Sequence, residues 1–110
     1  MKKAMTVDVL GTKYNIIESN KVDDPNLENN DGYCDHSTKN IVIDTFKDSP
    51  GSLGDLESYK MQVLRHEVIH AFLYESGLDT CSWAKEEEIV DWIACQFPKM
   101  LKTFEQCNAI

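Results

Sequence analysis

No stretch of this chain approaches the roughly 18 consecutive apolar residues that a membrane-spanning helix requires. The opening Met1-Lys2-Lys3 is basic, but Thr6, Asp8, Thr12 and Lys13 interrupt the apolar residues before a secretory h-region can form. Positive charge is also scarce: eleven Lys and Arg against nineteen Asp and Glu leave a net charge of −8. Binding to nucleic acid or to an anionic membrane needs a concentrated basic surface, so neither partner is expected. Cys34, Cys81, Cys95 and Cys107 are widely spaced and form no Cys-x-x-Cys pair. That spacing argues against a zinc ribbon or a disulfide framework and fits reduced thiols in a cytoplasmic protein. Internal repeats and low-complexity linkers are absent, and 110 residues at 42% hydrophobic suit one domain, residues 1–110, with a modest core. There is no room for a separate substrate-binding lobe, so an active site has to lie on the surface of that core.

The first half of the chain reads as strands. Thr6-Val7-Asp8-Val9-Leu10 and Tyr14-Asn15-Ile16-Ile17 flank Gly11-Thr12-Lys13 as in a hairpin, although the alternation is imperfect. Residues 20–31 are polar and include Pro25, Asn29 and Asn30, which predicts a loop. Gly32-Tyr33-Cys34-Asp35 and Asn40-Ile41-Val42-Ile43-Asp44 form a second candidate hairpin around residues 36–39, with Ile41 and Ile43 facing inward and Val42 and Asp44 on the other side. Asp48-Ser49-Pro50-Gly51-Ser52 breaks the strand region. Asp55 or Ser52 can then cap a helix running to about Ser76, where Gly77 suits a left-handed stop. Two hairpins followed by two helices predict an α+β architecture, a small antiparallel or mixed sheet packed on the helices.

Within the first helix stands His66-Glu67-Val68-Ile69-His70. A helix advances 3.6 residues per turn, so histidines four apart share a face and can reach one tetrahedral ion, Zn2+. Glu67 then flanks the ion's open side, where it could take a proton from a water whose pKa the ion lowers from about 15.7 toward about 7. At ordinary residue frequencies the pattern arises by accident in a chain of this length roughly a few times in a thousand. On the helical wheel Tyr59, Val63, His66, His70 and Leu73 share one face, and Met61, Leu64, Val68, Ala71 and Phe72 crowd the opposite side. A helix so apolar all round is expected to be buried, with the histidines looking onto a sheltered pocket.

A catalytic zinc needs a third protein donor. From about Ser82 the chain predicts a last helix whose apolar stripe is Val90, Ile93, Ala94, Phe97 and Leu101. Glu86 falls within the stripe, Glu87 at its edge, and Glu88 toward solvent. Glu87 and Asp91 sit four apart on one face, and a carboxylate beside the ligand can accept the spare N–H of a metal-bound histidine. Glu87 is therefore the expected third ligand, with Asp91 supporting a histidine from behind and Glu86 the alternative ligand. Taken alone, an acidic first turn serves the helix macrodipole, and only the His-Glu-x-x-His helix gives it another meaning.

Taken together, Gly32-Tyr33-Cys34-Asp35, Lys39-Asn40-Ile41-Val42-Ile43, Leu64-Arg65-His66-Glu67-Val68-Ile69-His70 and Glu87-x-x-Val90-Asp91-x-Ile93-Ala94 resemble the ImmA/IrrE-type zinc metallopeptidases of bacteria, phages and mobile elements, over roughly residues 32 to 98. In that family a glycine-led hairpin precedes the active-site helix, and a helix of the form Glu-x-x-Ala-Asn-x-Phe-Ala completes the metal site. The present chain has Val90, Asp91 and Ile93 where that pattern has alanine, asparagine and phenylalanine, and Glu87-x-x-x-Asp91 is similar to the broader gluzincin arrangement. The short length resembles small phage- or prophage-encoded members, and nothing resembles an attached DNA-binding domain. By position, the resemblance implies a zincin-like fold with His66, His70 and Glu87 as metal ligands and Glu67 as general base.

The activity so implied is zinc-dependent endopeptidase cleavage of a specific cellular or phage protein, such as a repressor, with the peptide extended against a strand near residues 40 to 44. Tyr33, His36, Tyr59 and Tyr74 are open candidates for stabilising an oxyanion, with His36 expected at an exposed hairpin bend. The rival expectation is a non-catalytic zinc-binding regulatory or interaction protein. Substrate sequence and oligomeric state have no signature in the chain.

Overall fold

The computed structural model describes residues 2–46, 55–80 and 83–110. Four strands, β1 (Lys2–Val9), β2 (Thr12–Ser19), β3 (Gly32–Asp35) and β4 (Asn40–Asp44), are followed by two helices, α1 (Leu56–Glu75) and α2 (Glu87–Gln106). The architecture is α+β, as expected. The predicted break at residues 48–52, the alternative cap Ser52 and the start of the last helix at Ser82 lie outside the described residues. Among the described residues no helix is long and apolar enough to cross a membrane.

Both hairpins form. β1 and β2 pair antiparallel with Val9 opposite Thr12, so the turn is Leu10-Gly11 and Thr12 and Lys13 belong to β2, not to the loop. Leu10 (φ 52°) and Gly11 (φ 91°) both adopt left-handed backbone, the two-residue connection whose twist matches that of antiparallel strands. Asp8 Oδ1 accepts a hydrogen bond from the Gly11 N–H at 2.8 Å and steadies it. β3 and β4 pair antiparallel, and β4 also pairs parallel with β2, giving the order β1-β2-β4-β3 and a mixed sheet.

Both faces of the sheet are covered, which the alternating pattern did not foretell. Ile16, Ile41 and Ile43 pack with Val63 and Ala71 of α1, whereas Ile17 and Val42 pack with Leu27 and Tyr33 on the other side. The segment between β2 and β3 does this covering. Asp24 caps a short 3-10 turn, Pro25–Leu27, by accepting from Asn26 N–H and receives the Tyr33 hydroxyl, and Leu27 is fully buried. Val42 and Asp44 are therefore buried too, where only Ile41 and Ile43 were expected inward.

α1 begins at Asp55, whose side chain accepts from Ser58 N–H. It ends in a Schellman arrangement: Gly77 (φ 76°) lets its own N–H reach Tyr74 O and the Leu78 N–H reach Leu73 O. Its buried residues are Val63, Glu67 and Ala71, one i, i+4, i+8 row laid on the sheet. Met61 and Phe72 remain 50% and 41% exposed, so the helix is not buried all round as its wheel suggested. The reason is that a single sheet covers only one side of a helix.

α2 starts five residues later than expected, at Glu87, and docks on α1 through Val90 and Ala94. Phe97, expected in the apolar stripe, is 45% exposed. Pro98 lies inside α2 and has no N–H to give the carbonyl of Ala94 four residues back. Arg65 of α1 supplies the missing donor, its Nε 2.6 Å from Ala94 O, and so pins the two helices together.

Candidate metal centre

Helical spacing alone brings His66 and His70 together, with ring centroids 4.9 Å apart and planes at 66°. The tertiary fold adds Glu87, the first residue of α2. His66 Nε2 and His70 Nε2 are 3.2 Å apart, and Glu87 Oε1 lies 2.9 Å from the first and 3.0 Å from the second. Three donor atoms thus form a nearly equilateral triangle and are a group able to hold a metal ion. Donors about 2.05 Å from a tetrahedral zinc stand about 3.3 Å from one another, so the triangle is within a few tenths of an ångström of what that ion demands. Two imidazoles and one carboxylate are also a donor set suited to zinc, and they leave a fourth position open.

Asp91, one turn beyond Glu87, places Oδ1 3.3 Å from His66 Nδ1. With Nδ1–H directed to a carboxylate, the lone pair of His66 is left on Nε2, the atom facing the triangle. Glu86 is the exposed N-cap residue of α2, outside the helix, and Glu88 is exposed as well. The structure therefore brings together His66, His70, Glu87 and Asp91, and it leaves Glu86 apart.

Glu67 belongs to the adjoining row of α1, the one facing the sheet, and is 8% exposed. Burial pushes its carboxyl up from the ordinary range, His66 and His70 pull it back, and the charge of Glu87 adds to the rise. Burial also works to raise Glu87, but hydrogen bonds and charge from His70 and then His66 outweigh it and hold that carboxyl low. The two carboxyls are thus driven in opposite directions, one toward holding a proton and one toward holding charge.

A cavity of about 500 Å³ joins these groups, lined by His66, Glu67, His70 and Glu87 on the helical side and by Asn30, Gly32, Tyr33, Cys34 and His36 on the other. Gly32 makes this closeness possible. A Cβ there would stand 3.0 Å from both Val42 O and Val63 Cγ1, so a side chain would crowd the close approach of β3 to α1 one turn before Glu67. A second hollow of about 260 Å³ shares His66 and Glu67 and continues to Asp31, Tyr59 and Asp91. Together the hollows run alongside β3.

His36 and Cys34 are the cavity residues that the sequence placed poorly. His36 was expected in solvent, but its ring stacks on Tyr74, with centroids 4.2 Å apart and planes at 4°, and it is only half-exposed. The turn that puts it there is set by Asp35, which accepts from Ser37 N–H and Oγ. Cys34 pairs with Ile41 across the β3–β4 ladder, and directly opposed residues share a face, so the inward assignment of Ile41 already implied an inward Cys34. Cys34 Sγ is 3.5 Å from His36 Nδ1, a contact reminiscent of a thiol–imidazole nucleophile. Burial, followed by the charge of Glu67, pushes the thiol up to about 12, so the pair lacks the thiolate such chemistry requires.

Two of the three candidate tyrosine hydroxyls are engaged elsewhere, and Tyr74 is the one whose ring stacks on His36. Tyr33 donates to Asp24 and Tyr59 to Asp31. The hydrogen bond to Asp31 and then burial push Tyr59 up to about 12. The expected substrate strand at residues 40–44 is corrected as well: β4 is paired on both sides, by β2 and β3, while β3, beside the cavity, is one of the two edge strands, β1 being the other.

In comparison with known proteins, the chain matches no protein-family model, no curated protein and no solved structure.

Proposed function

We propose that this chain is a zinc-dependent endopeptidase, with His66, His70 and Glu87 as metal ligands and Glu67 as general base. The observation that carries the reading is the convergence of three donor atoms from two helices within 3.2 Å beside a buried carboxyl in one open cavity. Zinc, when bound, supplies a Lewis acid that polarises the scissile carbonyl and acidifies water.

The protein's own residues would do the rest. Glu67, buried at the wall of the cavity, takes a proton from the attacking water on its carboxylate and passes it to the departing amine. Asp91 keeps the His66 ring in the tautomer that faces the metal. The peptide lies extended along the free edge of β3, where main-chain hydrogen bonds hold it without demanding a particular sequence. His36, which lines the same cavity, is the candidate to donate to the carbonyl oxygen as negative charge develops.

Metal analysis of the purified protein and cleavage of a quenched-fluorescent peptide library test this reading. Near-stoichiometric zinc is expected, with a thermal midpoint that falls on chelation because the ion binds the native state. Glu67→Gln should retain the metal and lose about 10²–10⁴-fold in cleavage rate. Unimpaired cleavage by that variant would remove Glu67 from the mechanism, and a protein that holds no zinc would end the metallopeptidase reading. A cellular effect that survives Glu67→Gln but not His70→Ala would identify a non-catalytic zinc protein.

A further inference from the structure

α2 carries a second apolar surface that the other described residues leave partly exposed. Its docked side is Val90 and Ala94, with the half-buried Leu101 in line with them. At 100° per residue, Ile89, Trp92, Ile93, Gln96, Met100 and Phe104 fall within about 60° of another line along the same helix. Ile89, Trp92 and Phe104 are 39%, 57% and 40% exposed. The steps of four, three, four and three through Ile89, Ile93, Gln96, Met100 and Thr103 are the spacing of a helix-to-helix seam. An apolar stripe of this kind outside the core marks an interaction surface.

Two further observations say what fits it. Glu88 and Lys99, both exposed, lie on the same flank of the stripe about three turns apart, one acidic and one basic. Turned end for end, a second α2 sets its Lys99 against Glu88 and its Glu88 against Lys99, satisfying both charges at once. Independently, a hollow of about 350 Å³ on this face is lined by Trp92, Gln96, Lys99, Met100, Thr103 and Phe104. The register fixed by the two charge pairs brings Ile89 of the second copy level with position 98, over that hollow. Charge and shape thus select one alignment, and the surface is complementary to itself, as a two-fold interface must be.

We propose that α2 is the interface of a homodimer, two copies packed antiparallel about an axis near Ile93 and Ala94. Glu87 and Asp91 lie on other sides of the helix, so the metal-holding group remains open, and the inference does not depend on what that group binds. A contact made by one helix is at the small end of interface sizes, so association depends on concentration.

Sedimentation equilibrium of the whole chain from about 1 to about 500 μM tests the dimer. A monomer–dimer equilibrium is expected, abolished by Trp92→Glu. Glu88→Lys and Lys99→Glu should each weaken it about tenfold, because each creates two like-charge pairs, and the double variant should return close to the parent value. These side chains are exposed, and circular dichroism checks that the variants stay folded. A protein that remains monomeric throughout overturns the proposal. So does a dimer whose constant ignores all three substitutions, since its interface would then lie elsewhere.

Discussion

The two helices bring halves of one site together, yet they are held in opposite ways. α1 is capped at both ends and buries Val63, Glu67 and Ala71 on the sheet. Its last residue, Glu75, is tied to the strands: it accepts from Tyr14 Oη at 2.6 Å and Thr12 Oγ1 at 3.0 Å and pairs with Lys39 Nζ at 2.9 Å. Near its other end, Lys60 pairs with Glu18 of β2. α2 buries only Val90 and Ala94, and its N-cap residue Glu86 makes no side-chain capping bond among the described residues. The histidines and Glu67 thus stand on a rigid scaffold, while Glu87 and Asp91 sit at the weakly secured start of a lightly docked helix. A metal ion bridging the two would hold α2 in place as well as supply chemistry, because ligands on separate elements pay the ordering cost together.

That contrast can be broken most severely at the core. Ile41→Ala, beneath α1, should cost about 2–5 kcal/mol of global stability in urea unfolding. Val90→Ala should cost about 2 kcal/mol, with hydrogen exchange quickening in α2 while α1 amides stay protected. Equal exchange in both helices would show that they unfold as one unit.

A finer test lies at the helix contact. Arg65→Met leaves the buried Ala94 carbonyl without a donor and should cost about 1–3 kcal/mol. In a Pro98→Ala background residue 98 regains its N–H and can reclaim that carbonyl, so the same Arg65→Met change should cost less. A double-mutant cycle with no coupling would remove Pro98 from the explanation.

The mildest effect concerns acid. Hydrogen bonds from Tyr14, then Lys39, hold the Glu75 carboxyl down at about 2. A carboxyl lowered by folding contributes stability above its unfolded pKa of about 4.5 and loses it as pH falls toward about 2. Glu75→Gln should therefore be less stable at neutral pH and flatten the acid limb in that window, as followed by circular dichroism. An unchanged limb would mean that the anchor contributes little to holding α1.

Much of this was legible in the chain because it is local. Gly11 and Gly77 mark a turn and a helix end that need left-handed backbone, and Asp55 announces a helix start. Where the reading failed, distant segments intervened. Val42 and Asp44 alternate as if facing solvent, but the segment around Leu27 folds beneath them. Phe97 and Met61 repeat at helical spacing, yet the described residues leave them 45% and 50% exposed. His36 looks like a turn residue until Tyr74, distant in sequence, provides a ring for it to stack on.

The chain by itself determined that His66 and His70 share a helical face and that Glu67 lies beside them, because a 3.6-residue turn is a property of the backbone and needs no partner. The pairing of Glu87 with Asp91 favoured Glu87 over Glu86, but only tertiary structure brought it to the imidazoles, put β3 and not β4 at an edge of the sheet, and desolvated Glu67. Each of those depends on where one element docks on another, and docking is settled by shape and burial across residues far apart in sequence.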